Sequence, residues 1–239
     1  MPTTLHPSGQ CLFISGTEVL LRYSRRISAL ILILVLNESP TIFAAAVDPN
    51  ETHTQHRINA PVEIQEALEI AMSHYPELSD VEIEFRYSKR MRKAVMQAQP
   101  VFWTIFRRPE KRRYLIKMRP SFEVRGKEMP IAELPEDVLV GWLGHELGHL
   151  TDYLQRDTWS MLVFGLGYIS SKSFIQAAER TADTYAVERG MGKYLVATKT
   201  FILRHAGMPY KYIDKINRLY LSPEQILEMM DEAGENSPS

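Results

Sequence analysis

The sequence predicts an α+β domain in which a small antiparallel sheet is followed by a helical half. Three observations favour this fold class. Short segments of alternating apolar residues follow one another closely between residues 81 and 124, as in strands joined by short connections. From Pro135 onward the apolar residues recur at helical spacing. The chain of 239 residues is long enough for one domain with a substantial core, and it shows no internal repeat.

The first stretch of the chain, residues 1–46, is predicted to be a signal peptide or an N-terminal anchor. Arg25 and Arg26 precede an apolar run at residues 27–36, and small residues follow at 44–46. A basic start, an apolar centre and a small-residue end are the three parts of a secretory signal. The run is too short to cross a bilayer as a helix, which takes about 20 residues. We therefore expect an exported protein, periplasmic or extracellular, which the run anchors to the membrane if it is retained.

Composition and charge limit the remaining organisation. Residues 47–60 are polar and are predicted to be a linker, residues 61–233 form the domain, and residues 234–239 are predicted to be a disordered tail. The formal net charge is −1, so no global field recruits nucleic acid and no such partner is expected. The single cysteine, Cys11, excludes an internal disulfide framework and cysteine-rich zinc sites. Basic residues concentrate between 86 and 119, which we interpret as the solvated face of the sheet, and contact with anionic lipid, an acidic substrate or nucleic acid is the alternative.

The first half of the domain combines one helix with several strands. Residues 62–75 carry apolar side chains at helical spacing and predict an amphipathic helix. Residues 81–87 alternate strictly, which is typical of a half-buried strand. Residues 101–106 are apolar on both faces, which favours a central strand. Residues 113–119 alternate again, and a short strand is predicted at 122–124, so these segments together predict an antiparallel meander.

The second half of the domain is predicted to be helical throughout. One helix begins at Pro135, a residue that suits a first helical turn, and runs to about Tyr153. A second helix extends from Ser173 to about Arg189 and is closed by Gly190. Two or three further helices are predicted around Phe201, Ile213 and Ile226.

The helix after Pro135 contains the motif HELGH, which carries the first candidate functional residues. His145 and His149 lie one turn apart on the same face of a helix, so their imidazoles can hold one metal ion. Glu146 can reach a water molecule bound to that ion. Three glycines at helical spacing on this helix predict close packing against a neighbour: Gly141, Gly144 and Gly148.

A zinc site that performs hydrolysis needs three protein ligands and one open position, so a third ligand is required. Glu179 and Asp183 in the motif ERTAD are also one helical turn apart, on the predicted second helix. Glu179 can complete a site of two histidines and one glutamate. Asp183 can accept the free ring N–H of a ligating histidine and thereby fix its tautomer. The two motifs together are more specific than either one alone.

The combination of HELGH and ERTAD resembles the gluzincin metallopeptidases. Within that family, the motif Glu-x-x-Ala-Asp is most similar to those of the HtpX-type and prenyl-protein endopeptidases and of the soluble minigluzincins. The resemblance covers roughly residues 81–192. It implies a zincin-like fold, in which the small sheet packs on the active-site helix, and one zinc ion held by His145, His149 and Glu179. It also implies that Glu146 is the general base.

The resemblance further implies that the edge strand of the sheet binds an extended peptide, with residues 113–119 or 122–124 in that place. The membrane-embedded relatives carry two transmembrane helices between the two motifs. Here the apolar part of the connection, residues 161–169, is too short to span a bilayer. Burial of this segment is favoured, and contact with a membrane surface is the alternative. The resemblance is therefore to the soluble, compact members of the family.

These observations predict a zinc-dependent metalloendopeptidase whose partner is a peptide or protein substrate. Zinc would activate a water molecule, and Glu146 would take its proton and return it to the leaving amine. One alternative is a catalytically inactive zinc-binding or peptide-binding module of the same fold, and another is a metal-free structural protein. The residue that stabilises the oxyanion stays open among three candidates: His205, Tyr185 and Tyr210.

Overall fold

The computed structural model describes residues 58–91, 94–124, 127–204 and 210–234, all of which belong to one unit of the chain. The predicted signal or anchor segment and the tail beyond Gly234 lie outside these residues. The predicted linker also lies outside them, except for its last residues, of which Ile58–Asn59 form strand β1.

The main sheet has four strands in the order β1-β2-β4-β3, where β2 is Glu82–Tyr87, β3 is Met96–Pro100 and β4 is Arg113–Met118. β1 and β2 pair in parallel, as do β2 and β4, whereas β3 and β4 are antiparallel. The sheet is therefore mixed, and the prediction of an antiparallel meander is wrong. The chain leaves β2, forms β3 at the outer edge, and returns to insert β4 between the two, so β2 and β4 run in the same direction.

The four local strand predictions meet different outcomes. The predicted strands at 81–87 and 113–119 are confirmed as β2 and β4. The predicted central strand at 101–106 is wrong, because this segment forms a 3-10 turn, Phe102–Thr104, that leaves Trp103 and Phe106 exposed. The predicted short strand is β5, Ser121–Val124, which pairs with β6, Lys127–Pro130, in a separate hairpin.

This topology contradicts the expectation that residues 113–119 or 122–124 form the edge strand that binds a peptide. Residues 113–118 lie between β2 and β3, so β4 has no free edge. β5 is outside the main sheet altogether. The edge that lies nearest the helical half is β3, which contacts the helix carrying HELGH.

The helices agree closely with the periodicity of the sequence. Helix α1 is Gln65–Ser73, and the helix with HELGH is α2, Glu136–Leu154. The helix with ERTAD is α4, Lys172–Glu188, which ends before Gly190 at a φ of 75°. The three further helices are confirmed as α5, Gly192–Arg204, α6, Tyr210–Leu219, and α7, Pro223–Glu232. Helix α3, Thr158–Ser170, was not predicted from the sequence.

Helix α2 is the centre of the core. Each of its residues from Val138 to Tyr153 is buried, because α1, α4, α5 and the sheet surround it. Its glycines permit this close approach, as predicted. A Cβ atom at Gly148 would collide with the backbone carbonyl of Ala182 on α4, and one at Gly141 would collide with the carbonyl of Tyr194 on α5. None of the described helices combines the length and the apolar character needed to cross a bilayer.

Candidate metal centre

The functional side chains of HELGH on helix α2 are buried inside the protein. The rings of His145 and His149 lie 4.8 Å apart between centroids, one helical turn from each other. His145, Glu146 and His149 are each only 5% exposed. Two imidazoles and a carboxylate are costly to bury without partners, so this arrangement calls for a compensating group.

Helix α4 supplies the third candidate ligand. The Oε2 atom of Glu179 lies 3.2 Å from His145 Nε2 and 3.4 Å from His149 Nε2. The contact of Gly148 with Ala182 sets this spacing, because it lets the two helix backbones approach without an intervening side chain. The sequence motifs, which lie 30 residues apart, thus meet at one point, with one ligand atom from each residue within 4.8 Å of the others.

The donor types, and two of the three ligand separations, are compatible with a zinc ion. Two ligands at zinc–nitrogen or zinc–oxygen distances of about 2.0–2.1 Å on a tetrahedral ion are separated by about 3.3 Å. The separations between Glu179 and the two histidines are 3.2 and 3.4 Å, which agrees with this value. Nitrogen and oxygen donors in a set of three are also the ligand types of hydrolytic zinc sites, which keep a fourth position open. A buried group that can hold a metal ion is therefore present.

Asp183 fixes the orientation of His145. Its Oδ1 atom lies 2.8 Å from His145 Nδ1, which directs Nε2 of the same ring towards Glu179. Burial lowers the pKa of His145, but the carboxylate of Asp183 and then Glu179 outweigh burial and raise that pKa to about 9. The prediction that Asp183 lies behind a candidate histidine ligand agrees with this geometry.

Asp183 is in turn held by a lysine that sequence reasoning missed. Lys199 on α5 is 3% exposed, and its Nζ atom donates to both carboxylate oxygens of Asp183 at 3.0 Å. The backbone N–H of Leu221 donates to Oδ2 as well. Burial would raise the pKa of Asp183, but the charges of Lys199 and His145 hold it below its usual value. The signal in the sequence was a lysine on the apolar face of a helix, between Leu195 and Ile202.

Glu179 also has a second partner that the sequence did not indicate. The hydroxyl of Tyr168 on α3 donates to Oε1 of Glu179 at 2.8 Å, which leaves Oε2 directed at the two histidines. Burial would raise the pKa of Glu179, but its hydrogen bonds with His145 and His149 hold that pKa well below the usual value. A carboxylate held in this way is ionised and presents one oxygen to a cation.

His149 is held differently from His145. Among the residues that the structure describes, its buried Nδ1 atom has no hydrogen-bond partner. Its ring instead stacks on Tyr153, with centroids 6.1 Å apart and planes inclined by 20°. Packing therefore orients this histidine where a hydrogen bond orients the other one.

Glu146 reaches the sheet rather than the histidines' common point. Its Oε2 atom accepts a hydrogen bond of 2.6 Å from the backbone N–H of Ala98 on β3. Burial raises the pKa of Glu146, although the nearby His145 and His149 and the Ala98 N–H oppose the rise. A raised carboxyl pKa suits a residue that must take up a proton and release it again near neutral pH.

Helix α6 closes a small cavity beside this site. A cavity of about 20 Å³ borders His145 and Glu146, and Tyr212 and Ile216 of α6 close it together with Tyr220. That volume accommodates one water molecule but not a peptide. The proximity of Glu146 and Glu179 and, above all, burial raise the pKa of Tyr212.

The three candidates for oxyanion stabilisation stay unassigned. His205 lies outside the described residues. Tyr210 is 81% exposed at the start of α6, and Tyr185 lies beneath the guanidinium of Arg189. Four tyrosines that sequence reasoning did not single out contact the candidate ligands or line the neighbouring cavity: Tyr153, Tyr168, Tyr212 and Tyr220.

Comparison with family models, with curated proteins and with solved structures gives no match for this chain. The two motifs, and the geometry in which the fold places them, are therefore the basis for assigning a function to this chain.

Proposed function

We propose that this protein is a zinc-dependent metalloendopeptidase. The observation that carries the proposal is the meeting of His145, His149 and Glu179 at one point, with Glu179 3.2 and 3.4 Å from the two imidazoles and Glu146 adjacent on the same helix as the histidines. A bound zinc ion would lower the pKa of a water molecule and polarise the scissile carbonyl. The gluzincin resemblance of HELGH and ERTAD supports the same conclusion.

The chain's own residues provide the proton transfers and the orientation. Glu146 takes a proton from the attacking water and returns it to the leaving amine, a role that its raised pKa favours. Asp183 keeps the Nδ1 proton of His145 in place, so that Nε2 remains available as a ligand. Tyr168 holds one oxygen of Glu179 and thereby leaves the other one for the ion.

Strand β3 is the proposed partner of the substrate backbone. An extended peptide can add to a free sheet edge through main-chain hydrogen bonds. A peptide that pairs with β3 at Ala98 takes over the N–H that Glu146 accepts in the closed structure, which releases the carboxylate for the attacking water. Because α6 closes the cavity, such a peptide enters only after this helix moves aside.

The test compares peptide cleavage by the zinc-loaded wild-type chain and by Glu146→Gln. Glutamine keeps the size of the side chain but cannot take up the proton, so we expect a loss in kcat of about 10²–10⁴-fold. Glu136→Gln is the matched control, since Glu136 is an exposed glutamate on the same helix, and it should leave kcat unchanged.

Two results would contradict the proposal. Equal cleavage by the wild-type chain and Glu146→Gln removes Glu146 from the mechanism. Full zinc occupancy without cleavage by any of the three proteins, over a broad set of peptides, favours the inactive zinc-binding module instead.

A further inference from the structure

A group of large apolar side chains lies in solvent on two segments of the described domain that contact each other. It consists of Trp103, Phe106, Trp159 and Val163, which are 65%, 60%, 74% and 49% exposed, and is called the aromatic patch below. The chain has three tryptophans, and two of them belong to this patch. Tryptophan is highly buried on average, so two that are mostly exposed indicate a surface that contacts something else.

The two segments that form the aromatic patch are held together by buried and partly buried polar contacts. The hydroxyl of Thr158, at the start of α3, donates to the carbonyl of Ile105 at 3.0 Å. The guanidinium of Arg112, which is 1% exposed, donates to the carbonyls of Ile105 and Arg107 and to that of Arg156. The turn after β3 and the start of α3 therefore form one fixed surface.

The charge around the aromatic patch is positive. Arg107, Arg108 and Lys111 are exposed beside Phe106, and the exposed acidic residues of the two segments are Glu110 and Asp157, whose side chain caps the start of α3. Helix α3, which supplies Trp159 and Val163, contains no charged residue at all. An apolar surface with aromatic residues and a basic border is the composition of protein segments that bind at a membrane–water interface.

We propose that the aromatic patch docks on the surface of an anionic lipid bilayer. Trp103, Phe106 and Trp159 enter the headgroup region, where amphipathic aromatic rings are favoured. The arginines and the lysine of the basic border lie against the lipid phosphates. Helix α3 has 13 residues, so it spans about 20 Å and lies in the plane of the interface.

Charge complementarity favours an anionic bilayer over two other possible partners of the aromatic patch, namely residues 27–36 and a second copy of the chain. The apolar run at residues 27–36 follows Arg25 and Arg26, so it would bring further positive charge to a basic border. A second copy of the chain, docked about a twofold axis, would place the same arginines of both copies together. An anionic bilayer instead supplies the opposite charge and an apolar layer at once. Tyr168, which holds Glu179, lies on the same helix α3, so docking places the metal centre close to the membrane.

Tryptophan fluorescence of the full chain tests this proposal directly. Residues 1–57 contain no tryptophan, so the signal does not report insertion of the apolar run. Trp142 is 6% exposed and gives a constant background. On addition of vesicles with anionic phosphatidylglycerol, we expect a shift of the emission to shorter wavelength and quenching by lipids brominated on their acyl chains. Vesicles of phosphatidylcholine alone should give a much smaller change.

Matched variants separate the apolar and the charged contributions. Arg107→Gln with Arg108→Gln should weaken binding to anionic vesicles by about fivefold per charge, or roughly 25-fold together. The control pair is Lys193→Gln with Lys211→Gln, at exposed positions on α5 and α6, and should change it little. Phe106→Ser with Val163→Ser should reduce the fluorescence response, whereas Leu227→Ser, at an exposed position on α7, should not.

Three results would overturn the docking proposal. Emission that is already at short wavelength and that vesicles do not alter indicates that residues 27–36 cover the aromatic patch. A shift that depends on protein concentration without lipid indicates a second copy as the occupant. Solvent-exposed emission that no vesicle changes excludes the bilayer and leaves a protein partner. Each result is independent of zinc binding and of peptide cleavage.

Discussion

Lys199 is the residue whose position is hardest to explain unless the metal centre is functional. Its ammonium group is buried and contacts both oxygens of Asp183, while the ring of Tyr220 lies 4.1 Å from Nζ. A buried ion pair contributes little to stability compared with apolar side chains of the same size. The pair instead fixes the carboxylate that orients His145, so the cluster gains a defined geometry.

Lys199→Met should therefore affect the metal centre as well as stability. Removal of one partner from a buried pair costs about 3–5 kcal/mol. Loss of a group that orients a ligand typically weakens metal affinity by about 10–100-fold. We expect both effects, measured by chemical denaturation and by competition with a zinc-binding dye. Lys193→Met, at an exposed position on the same helix, is the matched control and should leave both values close to wild type.

A second variant keeps this prediction testable if Lys199→Met does not fold. Asp183→Asn combined with Lys199→Met removes both charges and should recover part of the lost stability. Zinc affinity close to the wild-type value in either folded variant would show that Lys199 has a purely structural role.

At the residue scale, the sequence predicts which pairs of functional side chains share one face of a helix. His145 with His149, and Glu179 with Asp183, are pairs one turn apart, so their shared faces follow from local periodicity. Lys199 and Tyr168 contact Asp183 and Glu179 from other elements, and Ala98 contacts Glu146. No local spacing relates them to the motifs, because tertiary packing alone brings α5, α3 and β3 to the site.

At the element scale, the errors concern the sheet. Strand β3 was not predicted because Gln97 and Gln99 are polar and Pro100 has no backbone N–H donor. These features are typical of an edge strand. The apolar segment that follows it was predicted to be a central strand, yet Trp103 and Phe106 point to solvent in the aromatic patch. Periodicity identifies an apolar segment but does not indicate whether its apolar side chains face the core. The helices, whose pattern extends over more turns, were predicted well.

The approach of α2 to α4 gives a prediction for the whole helix pair. In Gly148→Ala, the new methyl group meets the backbone of Ala182, which cannot rotate away. The two helices must separate by a few tenths of an ångström or more, which moves Glu179 from the histidines. We expect destabilisation of about 1–3 kcal/mol and a lower zinc affinity. Both are measured by denaturation and by dye competition.

Gly144→Ala is the matched control for this helix pair. It adds the same methyl group to the same helix, but the atoms it meets belong to the flexible side chain of Met191. It should keep the zinc affinity of the wild type, and the gain in helix propensity of up to about 1 kcal/mol offsets part of any strain. Equal zinc affinities of the two variants would mean that the α2–α4 spacing does not control the site.

At the scale of the whole molecule, the core contains a cluster of ionisable groups that apolar packing does not offset. The members are His145, Glu146, His149, Glu179, Asp183 and Lys199, and each is no more than 5% exposed. A bound cation that attracts the carboxylates and is ligated by the imidazoles stabilises the folded state over the unfolded one. Folding and metal binding should therefore be linked in this protein.

Removal of metal by a chelator should accordingly lower the stability of the full chain. At a free zinc concentration about a thousand times the Kd, the linked stabilisation is about 4 kcal/mol. For a domain of this size, this corresponds to a shift in Tm of roughly 8–16 °C, measured by calorimetry. Glu179→Ala should show a much smaller shift, because the third ligand is absent. Equal Tm values of the wild-type chain with zinc and with chelator would exclude a structural link between the ion and the fold.

The zinc-induced shift in Tm should depend on pH. In the metal-free protein, the pKa of His145 is raised from 6.5 to about 9, so its protonated form contributes stability that is full below pH 6.5. This contribution is lost as the pH rises through about 9. Zinc binds only the neutral imidazole, so below pH 9 it must displace that proton. The zinc-induced shift in Tm should therefore increase between pH 6.5 and 9, and a constant or falling shift over this range would contradict His145 as a ligand.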